Sequence, residues 1–130
     1  MEDEEKTLGK ILRDARGRMK AKHPSAFTVR QFSKTVGLSP AFLSKLENDS
    51  IDPPSPEKLI FIAKQLGLDP NRVLVLANKL DPELKEIVIR HQVEMAGFLR
   101  TLDRLSAQHI HFLIRQAEIY EEAEKSEGIK

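Results

Sequence analysis

Apolar residues recur at helical spacing along most of the chain, and Pro, Gly and small polar residues interrupt them often enough to predict a series of short helices. Leu8, Ile11, Leu12, Ala15 and Met19 give a first helix, residues 5 to about 20, one apolar face, with Lys10, Arg13 and Arg16 on the other. KAKHPSA follows as a basic connecting loop that holds Lys20, Lys22 and an exposed His23. Thr28 can cap a second helix with Phe32 and Val36 inward, and Gly37 suits the left-handed position that ends it. Ser39 caps a third, with Pro40 in the first turn, where a missing N–H costs little; Leu43 and Leu46 face inward and Leu38 fills the corner. After the turn-rich NDSIDPPSP, Ser55 and Pro56 open a fourth helix with Leu59, Ile62, Ala63 and Leu66 on one face, closed by Gly67. Asp69 caps a fifth, in which Leu68 and Val73 form a hydrophobic staple and Val73, Leu74, Leu76 and Ala77 are core positions.

Five helices thus account for residues 5 to 78, a small all-α domain. Beyond it, Asp81 and Pro82 start a further helix with Leu84, Ile87 and Val88 apolar; the pattern leaves open whether it breaks near His91 or continues through Met95, Phe98, Leu99 and Leu102. Ser106 can cap a last helix with the stripe Ile110, Leu113, Ile114, Ala117 and Tyr120, before EEAEKSEGIK turns polar and frays. Two or three amphipathic helices cannot bury their apolar faces alone. They pack on the front domain or on another copy of themselves.

Charge separates the same two halves. Lys6 to Lys45 holds ten Lys or Arg and one acid, Asp14, whereas residues 81 to 130 hold seven bases and ten acids. A basic front half suits a polyanion. With no cysteine, disulfides and thiolate metal sites are excluded. The start, MEDEEKTLGK, lacks the apolar segment of a signal peptide, and no apolar run approaches the roughly 20 residues of a membrane span, so a soluble cytoplasmic protein is expected. No His-Glu-x-x-His or Gly-rich phosphate loop occurs, and His109 and His111, two apart on a helix, lie on different faces. These features point away from an enzyme and imply no metal or cofactor.

The stretch from Thr28 to Asn48, two short helices around a tight Gly-bearing turn, has the form of a helix-turn-helix, which lays its second helix into the DNA major groove. Periodicity alone would equally suit an αα-hairpin in an ordinary bundle. The neighbours add LRDAR in the first helix, GLSPAFLSKLEN through the turn, and PPSPEKLIFIAKQLGLDP in the fourth helix. In this order, with the five-helix layout, the chain resembles the phage lambda repressor and Xre-like helix-turn-helix family from about Leu8 to Ala77.

That resemblance implies a DNA-binding domain at 1–79, a C-terminal helical dimerisation region at 80–130, and a transcriptional regulator that binds a near-palindromic operator in double-stranded DNA as a homodimeric repressor. Arg16 matches the family arginine that pairs with a glutamate late in the recognition helix, here Glu47. The base-facing positions map to Ser39, Pro40, Ala41, Ser44 and Lys45, of which Lys45 can donate to guanine O6 and N7. Thr28, Arg30 and Asn48 are the phosphate candidates. Val29, Pro40 and Ala41 stand where polar readers are common in the family, so base readout by the third helix is expected to be modest. Phe98, Leu99, Leu102, Ile110, Leu113, Ile114 and Ala117 are the expected dimer surface. LDPELKEIV and FLRTLDRLSAQHI are also similar to Xre-type regulators that accompany ImmA/IrrE-type zinc metallopeptidases, which implies a peptidase partner cutting near FLRTL. The alternative class is an antitoxin that covers a toxin partner with its C-terminal helices and autoregulates its operon.

Overall fold

The computed structural model describes residues 6–128, which form eight α-helices and no strand. Thr7 caps α1 (Leu8–Lys22), Thr28 caps α2 (Val29–Thr35), and Ser39 caps α3 (Pro40–Glu47), each side-chain oxygen accepting an orphan N–H of the first turn. Ser55 does the same for α4 (Pro56–Gln65) and Asp69 for α5 (Pro70–Leu76). The expected start of the first helix at residue 5 lies outside the described residues; among those described, the helix begins after the Thr7 cap.

These five helices close around one core. Leu12, Phe32, Val36, Leu43, Leu46, Leu59, Ile62 and Val73 are fully buried, each from a position that helical spacing had turned inward. Leu76 is only half-buried at the edge of this cluster. α1 and α2 pack on α3, and α4 packs on α5. Gly37 takes φ of +76° directly after α2, where a Cβ would be strained, and it lets the chain turn into α3. The expected loop at KAKHPSA is shorter than its composition suggested. α1 runs on to Lys22, so Lys20 and Lys22 sit in its last turn beside the free carbonyls, which favour cations.

The rear part contains α6 (Pro82–Arg90), α7 (Gln92–Asp103) and α8 (Ala107–Ser126). The chain divides into two compact units within α6, between Lys85 and Glu86. The pattern had left the junction at His91 open; the structure breaks the helix there. Ser106 caps α8 by accepting from the His109 N–H. This helix does not fray at EEAEKS as expected but continues to Ser126, because Glu, Ala and Lys are good helix formers and Glu121 faces Lys125 one turn on at 4.0 Å. None of α6, α7 or α8 contains a buried residue, and no helix pair among α6–α8 packs as the front helices do.

Candidate nucleic-acid interface

The framework of the site is a set of ties between α1 and α3. Arg16 Nε donates to Glu47 Oε2 at 2.7 Å and Nη2 to Oε1 at 2.9 Å, a bidentate pair. The Arg16 side chain is 11% exposed and that of Glu47 5%, so water screens the pair little. The third guanidinium nitrogen, Nη1, donates to the Phe27 carbonyl at 3.0 Å. Phe27 in turn stacks on Phe32 of α2, with ring centroids 5.4 Å apart. One side chain of α1 therefore holds both the end of α3 and the segment that leads into α2. The hydrogen bond to Glu47 raises the Arg16 pKa above the ordinary arginine value, opposed by burial and helped by the Glu47 charge. With the folded pKa raised, the stabilisation is present below the unfolded value and lost only in strong alkali, so it is constant across neutral pH.

A second tie lies one residue beyond Asn48. Asp49 adopts the left-handed conformation, φ 58°, which Asp tolerates better than most residues. Its carboxylate accepts from the Thr7 hydroxyl and, at 2.9 Å, from the Gly9 N–H, so a residue just past α3 supplements the Thr7 cap by satisfying another first-turn N–H of α1. Gly9 is buried against the same point. A Cβ there would come within 2.5 Å of the Glu47 carbonyl oxygen and 2.6 Å of that of Leu46. The absence of that Cβ lets the backbones of α1 and α3 meet. A third tie braces the turn itself: Lys58 Nζ of α4 donates to the Val36 carbonyl at 2.6 Å.

Against this framework the expected DNA-facing groups fall into three kinds. Arg30, Pro40, Ala41, Lys45 and Asn48 are exposed, and neither Arg30 nor Lys45 enters an ion pair among the described residues. Thr28 and Ser39 are committed as caps, their hydroxyl oxygens accepting from the Gln31 and Phe42 N–H groups at 3.1 and 3.0 Å. A capping hydroxyl still keeps its own proton to donate, and a phosphate oxygen is a suitable acceptor. Ser44 is half-buried. Val29, taken from the sequence as a missing polar reader, is half-buried against the core and so serves packing.

Asp49, Gly9, Lys58 and Phe27 escaped the sequence reading. Gly9 inside an otherwise good helix pattern was the one available signal, since such a glycine weakens a helix by about 1 kcal/mol and marks a close approach. Among the described residues no group of His, Asp and Glu could hold a metal ion, and no helix is long and apolar enough to cross a membrane.

Two short helices at a Gly-bearing turn, the second braced from α1 and presenting an exposed lysine, define a helix-turn-helix of the DNA-binding type. Residues 20–79 match the sequence family described as a helix-turn-helix domain, a match that starts in the last turn of α1 and runs to the end of the front helices. No curated protein and no solved structure matches the chain.

Proposed function

We propose that the protein is a homodimeric transcriptional repressor that binds a near-palindromic operator, with α3 in the major groove. The observation that carries this reading is the double brace of α3 by Arg16 and Asp49, which leaves Lys45 free on the outer side of a helix whose inner residues are buried. Lys45 reads a base edge, while Thr28, Arg30, Ser39 and Asn48 anchor phosphates. Pro40 and Ala41 offer only apolar contact, so DNA shape contributes to discrimination. One module reads too few base pairs for a unique site, which is the reason for a dimer.

The exposed apolar residues of α7 and α8 support dimerisation through the rear helices: Phe98, Leu99, Leu113 and Ile114 are exposed, and Leu102 and Ile110 only half-buried. Exposure of Phe98, Leu99, Arg100 and Thr101 in FLRTL also leaves that stretch open to a peptidase partner, whose cut would release the operator by removing the dimer. Co-incubation with a zinc peptidase encoded beside the gene should then give one discrete C-terminal truncation. A stable complex with a neighbouring toxin would favour the antitoxin reading instead.

Gel-shift titration over a salt series tests DNA binding itself. Affinity should fall steeply and log-linearly with salt, and Lys45→Ala and Arg30→Ala should weaken it without unfolding the chain. Binding that ignores salt, or survives both substitutions unchanged, would sink the proposal.

A further inference from the structure

We propose that α8 pairs antiparallel with α8 of a second copy, centred between Leu113 and Ala117; this rests on the homodimer reading above and gives it a geometry. Its apolar stripe is open to solvent among the described residues: Leu113, Ile114, Ala117 and Tyr120 are exposed, at 39%, 49% and 62% for Leu113, Ile114 and Tyr120. Two features of α8 choose the occupant and its direction.

The first is charge. From Ala107 to Ala117 the helix holds no acid, and from Glu118 to Ser126 it holds four Glu and one Lys. Acids toward a C-terminus oppose the helix dipole, so this order does not serve the isolated helix. The apolar stripe continues, at spacings of three and four, into Glu121 and Glu124. A parallel pair would set these carboxylates side by side with those of the partner. An antiparallel pair sets them against the partner's acid-free N-terminal turn, where the free N–H groups form the positive pole. The second feature is size. Antiparallel pairing about this centre places Ile110 opposite Tyr120 and Leu113 opposite Ala117, each small or medium side chain facing a larger one. Parallel pairing would set Ala117 on Ala117 and Tyr120 on Tyr120, leaving a gap on one level and crowding the next. The antiparallel arrangement is also self-complementary about a two-fold axis, as a closed dimer requires.

The chain has no cysteine, so engineered thiols report without background. Ile110→Cys and Tyr120→Cys, made in separate full-length chains and oxidised alone and mixed, should give a disulfide-linked dimer only in the mixture. Residues 110 of the two copies would then lie about 15 Å apart along the axis, beyond the reach of a disulfide. Self-linked dimers of each variant alone would show a parallel pair and overturn the antiparallel geometry while leaving the homodimer standing. A dimer by sedimentation that forms no crosslink in any mixture would place the interface elsewhere, with the same result for this proposal. A monomeric unsubstituted chain would remove the homodimer reading, and this geometry with it.

Discussion

Helices α6–α8 share devices with α1–α5, since Asp81 and Ser106 cap α6 and α8, Pro82 opens α6 as Pro opens α3, α4 and α5, and apolar residues recur three and four apart, yet the two groups reach different ends. In the front unit the apolar faces meet, and residues such as Leu59, Ile62 and Val73 are sealed from solvent. In the rear helices no residue is buried, although Phe98, Leu99, Phe112 and Ile114 are as apolar as anything in the core. The difference lies in long-range ties. The front unit has Arg16 to Glu47, Asp49 to Gly9 and Lys58 to Val36, which join segments 22 to 40 residues apart. Among the described residues, the ion pair in the rear helices joins neighbours one turn apart, Glu121 and Lys125. Amphipathicity makes a helix ready to pack; distant specific contacts decide whether it packs within its own chain.

Breaking the buried pair should produce the largest effect. Arg16→Ala strands the Glu47 carboxylate and should cost about 3–5 kcal/mol in urea denaturation, whereas replacing both partners by apolar residues of similar volume should recover most of that loss. A cost under about 1 kcal/mol would mean that the pair behaves as a surface bridge. Lys45→Ala should weaken operator binding by about 1–3 kcal/mol, roughly 5-fold to 150-fold by titration, while the thermal midpoint stays put. Gly9→Ala is a test of sign. Helix propensity alone says that it stabilises by about 1 kcal/mol, whereas the closeness of the Glu47 and Leu46 carbonyls says that it destabilises by about 1–3 kcal/mol. Asp49→Ala should cost about 0.5–2 kcal/mol through the lost cap. The smallest effect belongs to the rear unit: Ile114→Asp should leave the unfolding free energy of the front unit within about 0.5 kcal/mol of the original while shifting sedimentation toward monomer. A large loss of front-unit stability would erase the contrast drawn between the two units.

The sequence was informative where the physics is local. Caps at Thr28, Ser39, Ser55, Asp69 and Ser106, the left-handed Gly37, and the inward positions of α1 to α5 all follow from residues within a few places of one another. Where the reading fell short, the deciding partner was remote or the competing tendencies were close. Lys20 and Lys22 looked like loop residues because Pro24 follows, but cations in a last helical turn are favoured. The polar end of α8 looked unstructured, yet its composition holds a helix without burying anything. Asp49 reads as one more turn residue until Thr7 and Gly9 are brought beside it by the fold. Arg16 was legible only through resemblance, since nothing near it in the chain points to Glu47.

The central claim, that the braced α3 reads DNA and the exposed rear helices pair two such readers, is tested most directly by selecting bound DNA from a random pool with the full chain. The account predicts enrichment of two inverted half-sites with centres one helical turn, about 34 Å, or a multiple of it apart. Enrichment of a single unpaired half-site, or of no sequence at all, would contradict it.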